Sequence, residues 1–359
     1  MRVPTAQLTS VNSWNISCQN PKWTGKSIIT GLTSLPLLES VELINKTASC
    51  TGLPLNQLAG LRRIVLSGYC DGSDAFRKNI VQQLGHVIAN CPQLSHLEVK
   101  SGLYRAHSAG DNTPTLHDLL GKVSPGTLLP LRHLGLTDWR MRLDSITLPH
   151  LKSIASLKID NNMLPLTSNV TDSSPSHHSD KIPLLDDYSS ENHEIWETLQ
   201  KEGIYPIRIT TDIIDHALLN YLASHPGLEE LTFTYANSSN RTKSDELANK
   251  FYWRVLPKHI ASLTKLTIRA AFEGNWCFGR HNVSIISRAQ ELVHLAVGLN
   301  WADMGRWHVN DEEDDSVRGE EGDSVDNEEN SVVSRLIPAY SVQLHSATAI
   351  PGTPPQHHV

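Results

Sequence analysis

Residues 88–99 read IANCPQLSHLEV, and the decision about the fold rests on this stretch. Ile88 ends an apolar series that recurs at helical spacing (Phe76, Ile80, Leu84, Val87, Ile88), with Ser73 or Asp74 in place to cap it and Cys91-Pro92 to stop it. Three residues later the period changes. Leu94, Leu97 and Val99 stand one, four and six in a hexad whose last anchors alternate with polar residues, as in a strand with one buried face. A helix that stops at a proline and hands over to a short, one-sided strand is a single supersecondary unit, and such a unit buries its apolar stripe only against copies of itself.

The hexad does recur. It starts at Leu38 (LESVEL), Leu61 (LRRIVL), Leu94 (LSHLEV), Leu131 (LRHLGL), Ile154 (IASLKI), Ile204 (IYPIRI), Leu228 (LEELTF), Leu263 (LTKLTI) and Leu292 (LVHLAV), at intervals of 23, 33, 37, 23, 50, 24, 35 and 29 residues. Several intervals match the 20 to 29 of leucine-rich repeats, and the longer ones imply insertions. Context carries the claim further than counting. Of the outward positions, only Ile44, Val65, Pro206 and Ala296 are plainly apolar. Helical stretches precede the strands: one opened by Thr113-Pro114 with Leu116, Leu119, Leu120 and Val123, one over 192–200 with Ile195 and Leu199, and one over 212–223 ended by His225-Pro226-Gly227. Ser244 opens another, ended by Pro257, and Asn282 the last. A doubly wound sheet would show continuous apolar strands, so the expected fold is α/β, an irregular leucine-rich-repeat solenoid (horseshoe) with parallel inner strands and outer helices.

This reading divides the chain into an N-terminal segment or cap (1–34), repeats (35–160), a Ser-, Asp- and His-rich disordered insertion (161–191), further repeats (192–307) and an acidic, mostly disordered tail (308–359). Within the tail, 331–344 is a candidate docking or capping segment. The formal charge of -7 misleads, because residues 310–330 hold eleven acids against Arg318 and leave the rest of the chain near +3. Such a body gives no case for nucleic-acid binding. Five cysteines without a CxxC pair argue against a disulfide framework and against a zinc knuckle. No signal peptide or apolar run of membrane-spanning length is found, so the expected location is cytoplasmic or nuclear.

Chemistry-bearing motifs are missing from the sequence. HEIWE at His193 fails as a helical zinc motif because its second ligand position is Glu197, and the close pairs His177-His178 and His357-His358 fall in the insertion and the tail. Trp276, Cys277 and Phe278 are read as packing groups, and Phe251, Tyr252 and Trp253 as a core-plus-surface helix stripe. No cofactor, metal or catalytic residue is expected. The expected binding positions are the outward-facing Arg63, His96, Lys100, His133, Lys158, Arg208, Lys265 and Arg269, a mildly basic surface suited to a protein partner with an acidic segment, or to the chain's own tail.

The phrases SLPLLESVEL, IANCPQLSHLEV, SHPGLEELTF and FYWRVLPKHIASLTKLTI, followed by GNWCFG and AQELVHLAV, resemble the irregular leucine-rich-repeat regions of fungal F-box-type proteins over residues 30 to 300. That resemblance implies substrate recognition for a ubiquitin ligase and carries over no catalytic residue. Residues 1–37 show no F-box-like helical run, so a ligase adaptor is expected only if an F-box lies upstream. The alternatives are a stand-alone inhibitor or regulator of a partner protein and, more distantly, an enzyme.

Overall fold

The computed structural model describes residues 14–16, 25–45, 54–68, 74–100, 114–160, 187–236, 240–270, 272–300 and 341–345. The residues of the insertion up to 186, and the tail apart from 341–345, lie outside that set, as do the expected caps Ser73 and Thr113.

Nine short strands form one parallel sheet in strict chain order: β2 (Ser40–Asn45), β3 (Arg63–Ser67), β4 (His96–Lys100), β5 (His133–Thr137), β6 (Ser156–Asp160), β7 (Arg208–Thr211), β8 (Glu230–Ala236), β9 (Lys265–Ala270) and β10 (His294–Gly298). At one edge β1 (Trp14–Ile16) adds in parallel, and at the other β11 (Ser341–His345) adds antiparallel to β10. The sheet stays open, not closed into a barrel. A doubly wound sheet would reverse its strand order at a switch point, and this one never does.

Eight of the nine hexads fall in the expected register. Ser40, Arg63, His96, His133, Ser156, Glu230, Lys265 and His294 occupy one cross-strand row. The exception is IYPIRI. Arg208, not Pro206, stands beside Ser156 and Glu230, so the true unit begins two residues later, and Pro206 is buried instead of outward. Its last anchor is Thr211, 1% exposed, where the other units carry an aliphatic or aromatic residue. Thr211 Oγ1 accepts the Ile213 N–H at 3.2 Å, which satisfies the hydroxyl in that position.

One side of the sheet is covered by helices. Anchors such as Ile64, Leu66, Leu97, Val99, Leu134 and Leu136 join a single apolar cluster with Leu84, Val87 and Ile88 of α2 (Asp74–Ala89) and Leu116, Leu119 and Leu120 of α3 (Leu116–Leu120). Farther along, Ile195, Trp196 and Leu199 of α5 (Asp187–Lys201) and Leu218 and Leu222 of α6 (His216–Ser224) continue it. Helix α1 (Gly25–Thr33) and the short α4 (Leu148–Leu151) and α9 (Val283–Ile286) complete the described α-helices together with the α7–α8 run. In that run α7 (Arg241–Lys250) passes through a π-helical turn (Phe251–Val255) into α8 (Leu256–His259), so Pro257 does not end the helix. The turn shifts the hydrogen-bond register just before the proline, which then sits in the first turn of α8 where its missing N–H costs little.

Several expected boundaries move for identifiable reasons. The cap of α3 is Thr115, which exchanges hydrogen bonds with Asp118 in a capping box, so Pro114 precedes the cap. Helix α6 begins after Asp215, whose Oδ1 accepts the Leu218 N–H at 2.8 Å, because residues up to Thr211 belong to β7. Asn240 caps α7 in place of Ser244, and α5 starts five residues before the expected 192.

Backbone joints repeat from unit to unit. The Glu39 carbonyl accepts the N–H groups of Arg62 and Arg63, that of Arg62 accepts Ser95 and His96, and that of Ser95 accepts Arg132 and His133. The same double acceptance recurs at Arg132, Ile207, Glu229 and Thr264. A second joint closes the chain at or just before the start of a unit with a side chain from, or just past, the helical segment that follows: Leu61 N–H donates to Cys91 Sγ (3.2 Å), Leu129 N–H to His150 Nδ1 (3.2 Å) and Leu228 N–H to His259 Nδ1 (3.3 Å). Buried backbone donors need partners, and these joints supply them where the ladder cannot. Among the described residues no helix is long and apolar enough to cross a membrane.

Candidate functional site

The face without helices carries the polar side chains. Its first row, running across the strands, is Ser40, Arg63, His96, His133, Ser156, Arg208, Glu230, Lys265 and His294, and its second is Glu42, Val65, Glu98, Gly135, Lys158, Thr210, Thr232, Thr267 and Ala296. Strand spacing of about 4.8 Å places every neighbour within side-chain reach. All eight expected binding residues lie on this face. Arg63, His96, His133, Arg208 and Lys265 share the first row, Lys158 lies in the second, and Lys100 and Arg269 are exposed toward the strand ends.

At the centre, β4 and β5 bring His96 and His133 into face-to-face stacking, ring centroids 3.9 Å apart and planes 7° from parallel. Arg63 donates to His96 Nε2. A guanidinium only donates, so His96 accepts as a neutral ring protonated at Nδ1. His133 Nδ1 meets Ser156 Oγ at 3.0 Å, while its Nε2 is buried without a hydrogen-bond partner. Burial, then His133, then Arg63 push the His96 pKa down to about 4. Burial lowers His133 as well, against the opposing pull of Glu98.

Glu98 lies two residues beyond His96 and crosses over β5 to reach β6, where Lys158 Nζ donates to Oε1 at 2.7 Å. Gly135 makes that crossing possible, since a Cβ there would stand 2.8 Å from Glu98 Cγ. Burial works to raise the Glu98 carboxyl, but the Lys158 hydrogen bond and charge draw it below the ordinary value. One ligand-type atom from each of His96, Glu98 and His133 lies within 4.8 Å of the others. Both histidines are legible in the sequence as outward positions, but their pairing is not. The signal was present as HLE at 96–98 and HLG at 133–135, at the same offset in two consecutive units.

The expected basic character is partly neutralised in place. Lys158 is held by Glu98, Arg63 lies 3.8 Å from Glu42, and Lys265 lies 3.8 Å from Glu230. Among the described residues, Lys100, Arg208 and Arg269 have no ion-pair partner. Elsewhere, Cys277 is fully buried with its pKa raised by burial, which disfavours the thiolate, and Trp276 packs edge-on against Phe233. Phe251 and Tyr252 are core, whereas Trp253 is 59% exposed.

No protein-family model, curated protein or solved structure matches the chain.

Proposed function

We propose that the chain is an irregular leucine-rich-repeat horseshoe whose helix-free sheet face binds another protein. The observation that carries the reading is the nine-strand register: independent polar side chains stand in rows on rigid, parallel, directly adjacent strands, a broad surface and not a pocket. The unpaired cations Lys100, Arg208 and Arg269 support a partner segment bearing acidic residues, with the ion pairs at Lys158, Arg63 and Lys265 setting register. In its sharper form the reading is substrate recognition for an F-box-like ubiquitin ligase of cytoplasm or nucleus, which rests on sequence resemblance. A stand-alone regulator of a partner is the other form, and neither assigns catalysis to this chain.

The test is proximity crosslinking and affinity capture with the full chain, its Lys100→Glu/Arg208→Glu variant and a Lys78→Glu/Lys122→Glu control of equal charge, both lysines being exposed, in α2 and just after α3. Partners lost with the face variant and kept by the control support the reading. Identical partner sets for all three chains refute it. Recovery of a cullin and its adaptor selects the ligase form.

A further inference from the structure

We propose that His96, Glu98 and His133 form a site for a divalent first-row transition metal, of which zinc is one, on the open face of the sheet. The inference is independent of the protein-binding reading. Two imidazoles and one carboxylate are a donor set common to zinc and to other first-row divalent ions. They come from two adjacent strands in direct register: His96 beside His133, and Glu98 beside Gly135. Rigid strands therefore fix the three Cα positions, and only side-chain torsions remain to be set.

Three observations separate this cluster from an accidental meeting of polar residues. First, the donor atoms already lie within 4.8 Å of one another. A tetrahedral ion with bonds of about 2.0–2.1 Å needs them about 3.3 Å apart, so the closure required is modest and shared among three side chains. The stacked rings must splay, since parallel lone pairs do not converge. Second, His133 Nε2 is buried with nothing to bond, while Nδ1 is engaged by Ser156 Oγ. A histidine ligand is oriented in this way: an outer partner holds one nitrogen and leaves the other lone pair for the metal. Third, Gly135 leaves the space through which Glu98 swings, and Glu98 is the residue that must change partner.

Two cations oppose the ion in the metal-free chain. Lys158 holds the Glu98 carboxylate and Arg63 donates to His96 Nε2. Metal binding displaces both, and their repulsion weakens the site relative to one without them. The cluster is only partly buried, so a fourth position is open to water or to a donor from another molecule.

The opposing lysine makes the proposal testable in both directions. The full chain, stripped by chelator, is titrated with Co²⁺ and then Zn²⁺, with absorption and calorimetry as readouts. To remove other histidine pairs, the parent carries His177→Ala, His178→Ala, His357→Ala and His358→Ala. Expected results are a visible Co²⁺ band of a four-coordinate N/O site bleached by Zn²⁺, and a loss of at least about tenfold in affinity for His133→Ala and Glu98→Gln, with Ser156→Ala losing about tenfold through its outer contact. Lys158→Met should tighten binding about fivefold by freeing Glu98, and Gly135→Ala should weaken it. No band with the parent, or affinity unmoved by both His133→Ala and Lys158→Met, overturns the proposal.

Discussion

At the scale of single residues, the joints that bind one unit to the next expose a pH dependence. His259 is 1% exposed, accepts the Leu228 N–H at Nδ1 and donates from Nε2 to the Leu222 carbonyl at 2.9 Å. Burial, against the pull of the Leu222 carbonyl and helped by His225 (ring centroid 5.6 Å away) and the Lys258 charge, pushes its pKa down to about 4. A histidine depressed in the fold binds its proton first in the unfolded chain. Its contribution is therefore intact above about pH 6.5 and is lost as pH falls toward 4, by about 3 kcal/mol over the whole window at 1.4 kcal/mol per pKa unit. Urea midpoints at pH 7.5, 6 and 5 should fall for the native chain, and His259→Gln should be less stable at pH 7.5 with a flatter decline. Equal pH slopes for the two chains would show that His259 does not drive the decline. His150 and His225, also lowered by burial, leave some slope in the variant. Such a role was not legible in the sequence, because the residue that answers a repeated backbone need changes identity: Cys91 in one unit, His150 and His259 in others.

At the scale of elements, the alternation of anchors was readable because burial on one sheet face imposes a period of two on any strand. It failed at one strand, and Thr211 explains the failure. Thr211 is not aliphatic, so aliphatic spacing alone puts the anchors two residues early, at Ile207 and Ile209, which keeps the face parity and hides the displacement. The same slip assigned Asp212 to the following helix. Asp215 is the true cap of α6, and its carboxylate takes the Leu218 N–H. Asp215→Ala should therefore destabilise the chain by about 1 kcal/mol, whereas Asp215→Asn, which retains the accepting oxygen, should cost much less. Asp212→Ala should leave the start of α6 unchanged. Chemical denaturation of the three variants checks the order, and equal losses for Asp215→Ala and Asp215→Asn would remove the capping account. Chemistry on the open face was harder to read than the strands that carry it. Stacking of His96 on His133 joins residues 37 apart, and which hexads become neighbours depends on insertions of irregular length.

For the molecule as a whole, an open sheet has two edges, and an unpaired edge is a template for another chain. β11 covers the β10 edge antiparallel, using residues 341–345 from beyond the acidic run at 310–330. The strand falls partly within the 331–344 stretch that the sequence offered as a capping segment. Two roles of the tail can therefore be separated by combining deletion with substitution. Removing residues 310–359 takes away both the edge strand and the acidic run, and the truncated chain should self-associate with rising concentration more than the full chain does. Deleting only 346–359 keeps β11 and should leave association unchanged. If the acidic run also competes with a partner for Lys100, Arg208 and Arg269, replacing its eleven acids by Asn and Gln, with β11 retained, strengthens partner binding at low salt and not at high salt, since screening removes the competition. Sedimentation velocity reads the first effect and salt-dependent affinity the second. A monodisperse truncated chain would argue against edge protection, and unchanged affinity in the neutralised chain would argue against competition by the tail, so each role stands or falls on its own measurement.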